Sequence, residues 1–176
     1  MNMIKEILKN IINRKPVIPF PGGFNVTAEQ AAKLVDFQRK IDTIFKRSLR
    51  IRQVDAGSCN ACEWECTALT NPVYDIQRFG IDFVASPRHA DVLLVTGPVS
   101  RQMELALKRT YIATPEPRLV MACGDCALDG GIYKGSYAVA NGVANVIPVD
   151  GVIPGCPPTP SAILLGLFRL IDGAVK

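Results

Sequence analysis

Short apolar segments rich in β-forming residues alternate with helical stretches from residue 48 onwards. The segments are residues 48–54, 82–85, 92–96, 118–122 and 146–149. The longest stretches between them, residues 62–79 and 99–113, have the pattern of helices. Strands that alternate with helices form a parallel sheet covered on both faces. The sequence therefore predicts a small doubly wound α/β domain of the flavodoxin-like type over residues 48–176.

The preceding residues, 1–47, are predicted to form a basic helical extension that contains a proline- and glycine-rich linker. Apolar residues recur at helical spacing over residues 2–14 and again over residues 27–47. Between them, three prolines and two glycines in residues 16–23 exclude a continuous helix or strand. The first helix is amphipathic, and its apolar face would lie on a membrane, on a partner or on its own domain.

Charge is distributed unevenly along the chain. Residues 1–52 contain eleven Lys or Arg and four Asp or Glu, whereas residues 53–176 contain nine and twelve. We therefore expect the basic end to meet lipid headgroups or an acidic partner. Nucleic acid is not an expected partner, because the chain has no recognition motif for it. No apolar run reaches the roughly 18–20 residues that cross a bilayer, and no secretory signal is evident, so we expect a cytoplasmic chain.

Cysteines follow three of the predicted strands. Cys59 follows the first strand, Cys123 and Cys126 follow the fourth, and Cys156 follows the fifth. The carboxyl ends of parallel strands lie at one edge of a sheet, where ligands gather, so we expect these thiols to converge. Because cytoplasmic thiols stay reduced, metal binding is a more plausible use for them than disulfide pairing.

The spacing of the cysteines favours an iron-sulfur cluster. Two residues separate Cys59 from Cys62, which lets both sulfurs reach one metal centre from a single turn. Glycines near Cys126 and before Cys156 would let the backbone approach a bulky inorganic group. The alternative is a zinc site formed by the two pairs Cys59 with Cys62 and Cys123 with Cys126. Zinc ribbons, however, separate their two cysteine pairs by about 15–20 residues, and here the separation is far larger.

Four blocks of the sequence carry a family resemblance. They are GSCNACEWE at 57–65, SPRHADVLLVTGPV at 86–99, GDCALDGG at 124–131 and VIPGCPPTPSAIL at 152–164. In this order they resemble the small subunit of membrane-associated nickel-iron hydrogenases, the energy-converting group that includes formate hydrogenlyase. They are also similar to the 20-kDa cluster-binding subunit of respiratory complex I. The resemblance covers about residues 50–170.

The resemblance implies one 4Fe-4S cluster held by Cys59, Cys62, Cys126 and Cys156. Cys66 and Cys123 lie outside the matched positions and are treated as spare thiols. The chain would then be an electron-transferring subunit of an oxidoreductase complex, without catalytic activity of its own. The implied partners are a large catalytic hydrogenase subunit, a ferredoxin-like iron-sulfur subunit and integral membrane subunits, in a complex at the cytoplasmic face of the membrane.

The first cysteine pair separates the two branches of this resemblance. Complex I subunits of this type carry two adjacent cysteines in the first block, whereas Cys59 and Cys62 are spaced as in hydrogenases. We therefore expect a hydrogenase small subunit of formate hydrogenlyase type. The second hypothesis is the cluster-bearing subunit of an NADH:quinone oxidoreductase-like complex, with a 49-kDa-like partner. The third, more remote, is a zinc-stabilised adaptor module.

Charged residues within these blocks are secondary candidates for a functional role. Glu63 and Glu65 could carry protons, or they could simply suit a helix N-terminus. Arg88 could balance the charge of a cluster or form a surface ion pair. His89 is the only histidine and could carry protons near neutral pH, but we favour no such role for it because it precedes a predicted core strand.

Overall fold

In the computed structural model, which describes residues 46–174 together with Arg39, Ile41 and Thr43, five strands form one parallel sheet. The strands are β1 (Leu49–Asp55), β2 (Ile81–Phe83), β3 (Val92–Thr96), β4 (Leu119–Cys123) and β5 (Gly151–Ile153). Their order across the sheet is β2-β1-β3-β4-β5, and each neighbouring pair is parallel. This is the flavodoxin-like order, with its switch point between β1 and β3, and it confirms the predicted fold class.

Helices follow four of the strands in the part of the chain that is described. They are α1 (Ala61–Ala68), α2 (Glu104–Ala113), α3 (Asp125–Asp129) and α4 (Pro160–Ala174). Short 3-10 turns lie at Ile76–Phe79, Pro87–His89, Gly131–Tyr133 and Val143–Asn145. Because α1, α2, α3 and α4 come after β1, β3, β4 and β5, each helix begins at the carboxyl edge of the sheet.

The core lies on the central strands. All five residues of β3 are buried, as expected for a strand that is covered on both faces of a parallel sheet. Leu93 and Val95 of β3 belong to an apolar cluster with Val120 of β4 and Leu107 of α2. This packing makes the carboxyl edge of the sheet rigid.

The predicted helix over residues 62–79 is shorter than expected. Helix α1 ends at Ala68, and Pro72 follows, which cannot donate the backbone hydrogen bond of a helix. Asp75 then has a left-handed backbone with φ of 44°. The predicted helix over residues 99–113 also starts late, at Glu104, because Val99 has φ of 56°.

The prediction of a fifth strand at residues 146–149 is wrong, because strand β5 is Gly151–Ile153. Pro148 has no N–H to donate to a neighbouring strand. Association with β4 begins at Asp150 instead. Its N–H donates to the Val120 carbonyl at 2.8 Å, and its carboxylate accepts from the Val120 N–H at 2.7 Å.

The predicted extension, residues 1–47, lies almost entirely outside the described residues. The described part falls within the unit Val35–Lys176. A domain boundary at residue 48 therefore stays a prediction. No helix among the described residues has the length and apolar character needed to cross a membrane.

Candidate metal centre

Four cysteines lie in three loops at the carboxyl edge of the sheet. Cys59 is in the loop after β1 and Cys62 is the second residue of α1, whereas Cys126 is the second residue of α3, after β4. Cys156 lies in the loop between β5 and α4. Cys59 and Cys156 are exposed, and Cys62 and Cys126 are half-buried. The strand that was misplaced in the sequence prediction does not alter this result, because Cys156 still follows β5.

The first cysteine loop is shaped by its own hydrogen bonds. The Asp55 carboxylate at the end of β1 accepts from the N–H groups of Gly57 and Ser58, both at 2.8 Å. Asn60 then takes a left-handed conformation, with φ of 69°, immediately before α1. These contacts and the conformation of Asn60 turn the chain sharply between Cys59 and Cys62. Both cysteines therefore lie at the carboxyl edge of the sheet.

Two glycines let the backbone lie directly against cysteine sulfurs. A Cβ atom added at Gly124 would be 2.8 Å from the Cys62 Sγ, and one added at Gly131 would be 3.0 Å from the Cys126 Sγ. Both glycines have a positive φ, of 91° and 50°. A side chain at either position would therefore be strained and would also displace a sulfur.

Cys126 is the cysteine at which the three loops interact. Burial raises the pKa of its thiol, and negative charge on Cys156, Cys59 and Cys62 raises that pKa further. The Ile132 N–H acts in the opposite direction, because it donates a hydrogen bond to the Cys126 sulfur. Thiolates held this close repel one another, and a bound metal centre offsets that repulsion.

Cys123 occupies a different environment. It is fully buried at the end of β4, and its thiol lies near those of Cys62 and Cys66. The neighbouring Cys123 thiol lowers the pKa of Cys62, whereas the Cys62 and Cys66 thiols, and then burial, raise the pKa of Cys123 well above its ordinary value.

The four cysteines at the carboxyl edge of the sheet have the donor chemistry that an iron-sulfur cluster requires. Such clusters are bound by four cysteine thiolates and are larger than a single ion. Three separate loops supply the thiols here, and Gly124 and Gly131 leave room beside two of them. Among the described residues, no group of three or more His, Cys, Asp or Glu side chains is arranged to hold a metal ion.

Beside the cysteines lies a cavity that the sequence did not indicate. It has a volume of about 380 Å³, and Arg52, Glu63 and Cys66 are among its lining residues. The Arg52 Nε and both carboxylate oxygens of Glu63 are buried and make no hydrogen bond within the described residues. Glu63 therefore does not lie at an exposed helix end. In the sequence, Arg52 is one of the polar residues that alternate with apolar ones in a predicted strand. Nothing in the sequence therefore distinguished it as a functional residue.

Two of the secondary candidates lie away from the cysteines. Arg88 and His89 are exposed in the turn that precedes β3, on the amino-terminal side of that strand. The cysteines lie beyond the carboxyl ends of the strands. Neither side chain therefore belongs to the candidate centre.

Large apolar side chains are exposed in the same segments as the cysteines. Trp64 on α1 is 67% exposed, and Ile132 and Tyr137, which follow α3, are 80% and 95% exposed. Leu128 on α3 is also exposed. Several such residues around one site are typical of a contact with another protein. We refer to Trp64, Leu128, Ile132 and Tyr137 as the apolar rim.

Comparisons with known proteins place similar sequences in redox complexes. The sequence profile of the family described as NADH ubiquinone oxidoreductase, 20 Kd subunit, matches residues 59–170. Formate hydrogenlyase subunit 7 of Escherichia coli (strain K12) is 40% identical over 169 residues, which are 96% of this chain and 64% of the relative. This chain therefore spans slightly less than two thirds of that relative.

An archaeal relative and a solved structure give similar matches. The probable membrane-bound hydrogenase subunit mbhJ of Pyrococcus furiosus is 44% identical over 130 residues, covering 74% of this chain and 78% of the relative. A chain in the structure of the membrane-bound sulfane sulfur reductase, an archaeal respiratory membrane complex, superposes with a TM-score of 0.64. That chain is 35% identical, and the match covers 80% of this chain and 74% of the other.

Proposed function

Since the chain belongs to the family of the NADH ubiquinone oxidoreductase 20 Kd subunit, we propose that it is the electron-transferring small subunit of a membrane-bound hydrogenase complex of formate hydrogenlyase type. Relatives in this family are subunits of oxidoreductase complexes. The chain would carry one 4Fe-4S cluster next to the nickel-iron centre of a large subunit. It would have no catalytic activity alone.

The observation that best supports this proposal is the group of cysteine sulfurs whose charge acts on Cys126. Cys156, Cys59 and Cys62 all act electrostatically on Cys126, although Cys156 follows β5 and the other two follow β1. Glycines rather than side chains lie against two of these sulfurs. An all-thiolate set with open backbone around it is the environment in which iron-sulfur clusters are held.

Cys59, Cys62, Cys126 and Cys156 would hold the cluster. When bound, it would supply a site that accepts and passes on single electrons. The surrounding residues would hold the sulfurs in position, and the Ile132 N–H, which donates to Cys126, would stabilise negative charge there. A zinc site on Cys59, Cys62, Cys123 and Cys126 is less well supported, because Cys123 is fully buried at the end of β4.

A second candidate is the cluster-bearing subunit of an NADH:quinone oxidoreductase-like complex. The description of the matching family favours it. An NADH-quinone oxidoreductase subunit of Desulfovibrio desulfuricans is 48% identical over 113 residues, which are 64% of this chain and 60% of that relative. The spacing of Cys59 and Cys62 favours the hydrogenase instead. The assembled complex would distinguish the two, since only a hydrogenase consumes or evolves dihydrogen.

The partners that we propose are a large catalytic subunit, a ferredoxin-like iron-sulfur subunit and integral membrane subunits. The apolar rim would contact the large subunit, which would cover the exposed Cys59 and Cys156. The basic N-terminal segment, residues 1–24, would face the membrane subunits at the cytoplasmic side. The names of two similar proteins describe membrane-bound complexes, which supports this placement.

Metal analysis of the full chain, isolated anaerobically in its complex, tests the proposal. We expect a brown protein whose broad visible absorption bleaches on reduction. We expect that alanine substitution at Cys126 abolishes the signal of this cluster, whereas alanine substitution at Cys123 does not. Stoichiometric zinc bound to this chain without iron would contradict the cluster, and the reverse result for the two cysteines would contradict the ligand assignment.

A further inference from the structure

The loop after β3 carries no cysteine, although it lies at the same edge of the sheet as the candidate centre. It comprises residues 97–100, and we call it the β3 loop. Most of it belongs to the sequence block at 86–99, which contains none of the proposed ligands. Strand β3 lies between β1 and β4, and the segments that follow those two strands carry Cys59 and Cys126. The β3 loop is therefore placed between two groups of proposed ligands.

On one side, the β3 loop lies against the loop after β1. The Ser100 N–H donates to the Ala56 carbonyl oxygen at 2.8 Å. A Cβ atom added at Gly57 would lie 2.7 Å from the Ser100 Oγ. One added at Gly97 would lie 2.8 Å from the Ser58 backbone nitrogen. The two loops are therefore in direct contact, with no space for a further side chain between them.

On its other side, the β3 loop binds a segment that packs against α3. The Ala140 N–H donates to the Val99 carbonyl oxygen at 2.8 Å. Two residues later in this segment, a Cβ atom added at Gly142 would lie 2.5 Å from the carbonyl oxygen of Leu128, which belongs to α3. The same helix carries Cys126. The β3 loop and residues 140–142 thus connect the loop after β1 with the helix that bears another proposed ligand.

Val99 gives the β3 loop its shape through an unfavourable backbone conformation. Its φ is 56°, in the left-handed region that β-branched residues rarely adopt. Such a conformation persists only where the surrounding structure imposes it, and such positions cluster at functional sites. The Val99 side chain is fully buried in the apolar cluster of the core that also includes Ala56 and Ala140. The core therefore holds this turn, and the turn holds Ser100 against the loop after β1.

We propose that Val99 and Ser100 are positioning residues that set the separation between the loop that bears Cys59 and the helix that bears Cys126. The buried Val99 side chain fixes the turn, and Ser100 makes the contact with Gly57, two residues before Cys59. This inference rests on the proposed function, in which both cysteines hold one cluster. Displacement of a ligand changes the hydrogen bonding and solvent exposure of an iron-sulfur centre, and these set its reduction potential.

Paired substitutions at Gly57 and Ser100 test the contact in the intact complex. G57A places a Cβ against the Ser100 side chain, so the loop after β1 must move. We expect a chelator to remove iron about tenfold faster and the electron paramagnetic resonance spectrum of the cluster to change. S100G leaves a gap at the same place, so it should cause a smaller change in iron release.

The double variant G57A/S100G separates the contact from backbone strain. It keeps the strain at position 57, where φ is 98°, but the added Cβ takes the space of the two side-chain atoms that S100G removes. We therefore expect iron release to be slower than in G57A and the spectrum to return towards that of the native complex. Such a recovery is the non-additivity expected of two residues in contact.

V99A and V120A form a matched pair that tests the role of Val99. Both remove two methyl groups from a buried residue of the same apolar cluster, but Val120 lies within strand β4. We expect V99A to accelerate iron release about tenfold and to shift the midpoint potential of the cluster. V120A should lower the melting temperature and leave both of these properties unchanged.

The outcomes separate this inference from the proposed function. A native complex in which this chain has no iron-sulfur signal would overturn the proposed function itself. A native signal that is unchanged in both G57A and V99A would overturn only the positioning role. Equal changes in V99A and V120A, or no recovery in G57A/S100G, would also contradict that role, because the substitutions would then act through a general loss of stability. If V99A does not fold, recovery in the double variant decides the matter.

Discussion

Asp125 and Gly155 bind each other through two hydrogen bonds that join the β4 and β5 loops. The Gly155 N–H donates to the Asp125 Oδ1 at 2.7 Å, and the Asp125 N–H donates to the Gly155 carbonyl oxygen at 2.9 Å. Each residue directly precedes a proposed ligand, Cys126 or Cys156. This reciprocal pair therefore sets the separation of two sulfurs that come from different strands.

Substituting Asp125 tests how much this pair contributes. D125A removes the acceptor, and a hydrogen bond to a charged group contributes about 1.5–3 kcal/mol. We expect the free energy of unfolding to fall by about 2 kcal/mol and iron release to a chelator to accelerate. Denaturant unfolding of the full chain and chelator kinetics on the complex would measure the two effects.

The isosteric D125N variant is the control for this substitution. It keeps the side-chain oxygen that accepts from Gly155 but loses the charge, so its effects should lie between those of the native protein and D125A. Equal iron release from all three proteins would contradict a role for Asp125 in holding the two loops together.

Gly124 offers a direct test of the space beside Cys62. Its φ is 91°, and an added Cβ would meet the Cys62 Sγ at 2.8 Å. G124A should therefore displace that sulfur and lower the iron content per chain. It should also cost about 1–3 kcal/mol of stability through backbone strain. Iron quantification and thermal unfolding, performed on the same preparation, separate the two effects.

Gly135 provides a matched comparison. Its φ of 81° is similarly unfavourable for alanine, but an added Cβ would meet nothing within 4 Å. G135A should thus lose stability through backbone strain alone and retain its iron. If both variants lose iron to the same degree, the effect comes from strain and the contact with Cys62 is unimportant.

The fold class could be predicted because strand and helix patterns alternate so clearly, but individual boundaries could not. Residues 146–149 have the composition of a strand, yet Pro148 prevents pairing and β5 forms at Gly151–Ile153. Local sequence cannot distinguish an apolar turn that packs on the core from a strand that pairs. The loops that follow the strands were less sensitive to this error, so the sequence still placed the four cysteines correctly at the carboxyl edge of the sheet.

The finer chemistry of the site depends on contacts between distant parts of the chain. Nothing in the sequence near Cys123 indicates that its thiol lies near Cys62, because Cys123 ends β4 whereas Cys62 is on α1. The buried Glu63 carboxylate of α1 similarly shares a cavity with Arg52 of β1, a neighbour from another element. Spacing rules identify candidate ligands, whereas the environment that tunes them requires the three-dimensional structure.

The apolar rim should be needed for assembly with the large subunit. I132D places a charge on a side chain that is 80% exposed beside Cys126, so it should leave the chain folded but weaken assembly at least tenfold. Size-exclusion chromatography of the isolated complex would detect the loss. I112D is the control: Ile112 is 75% exposed on the last turn of α2, towards the opposite edge of the sheet. Equal assembly of both variants would exclude a contact at Ile132.

The basic N-terminal segment should attach the complex to membrane subunits without contributing to the cluster. Residues 1–24 contain four Lys or Arg and one Glu, and they precede the whole cysteine-bearing domain. Deleting them should release the complex from washed membranes and leave its iron content and redox signal unchanged. Replacing only Lys5, Lys9, Arg14 and Lys15 by alanine would separate charge from the apolar face. Full membrane association of the deletion variant would contradict this role, and concurrent loss of iron would mean that the segment supports the cluster domain instead.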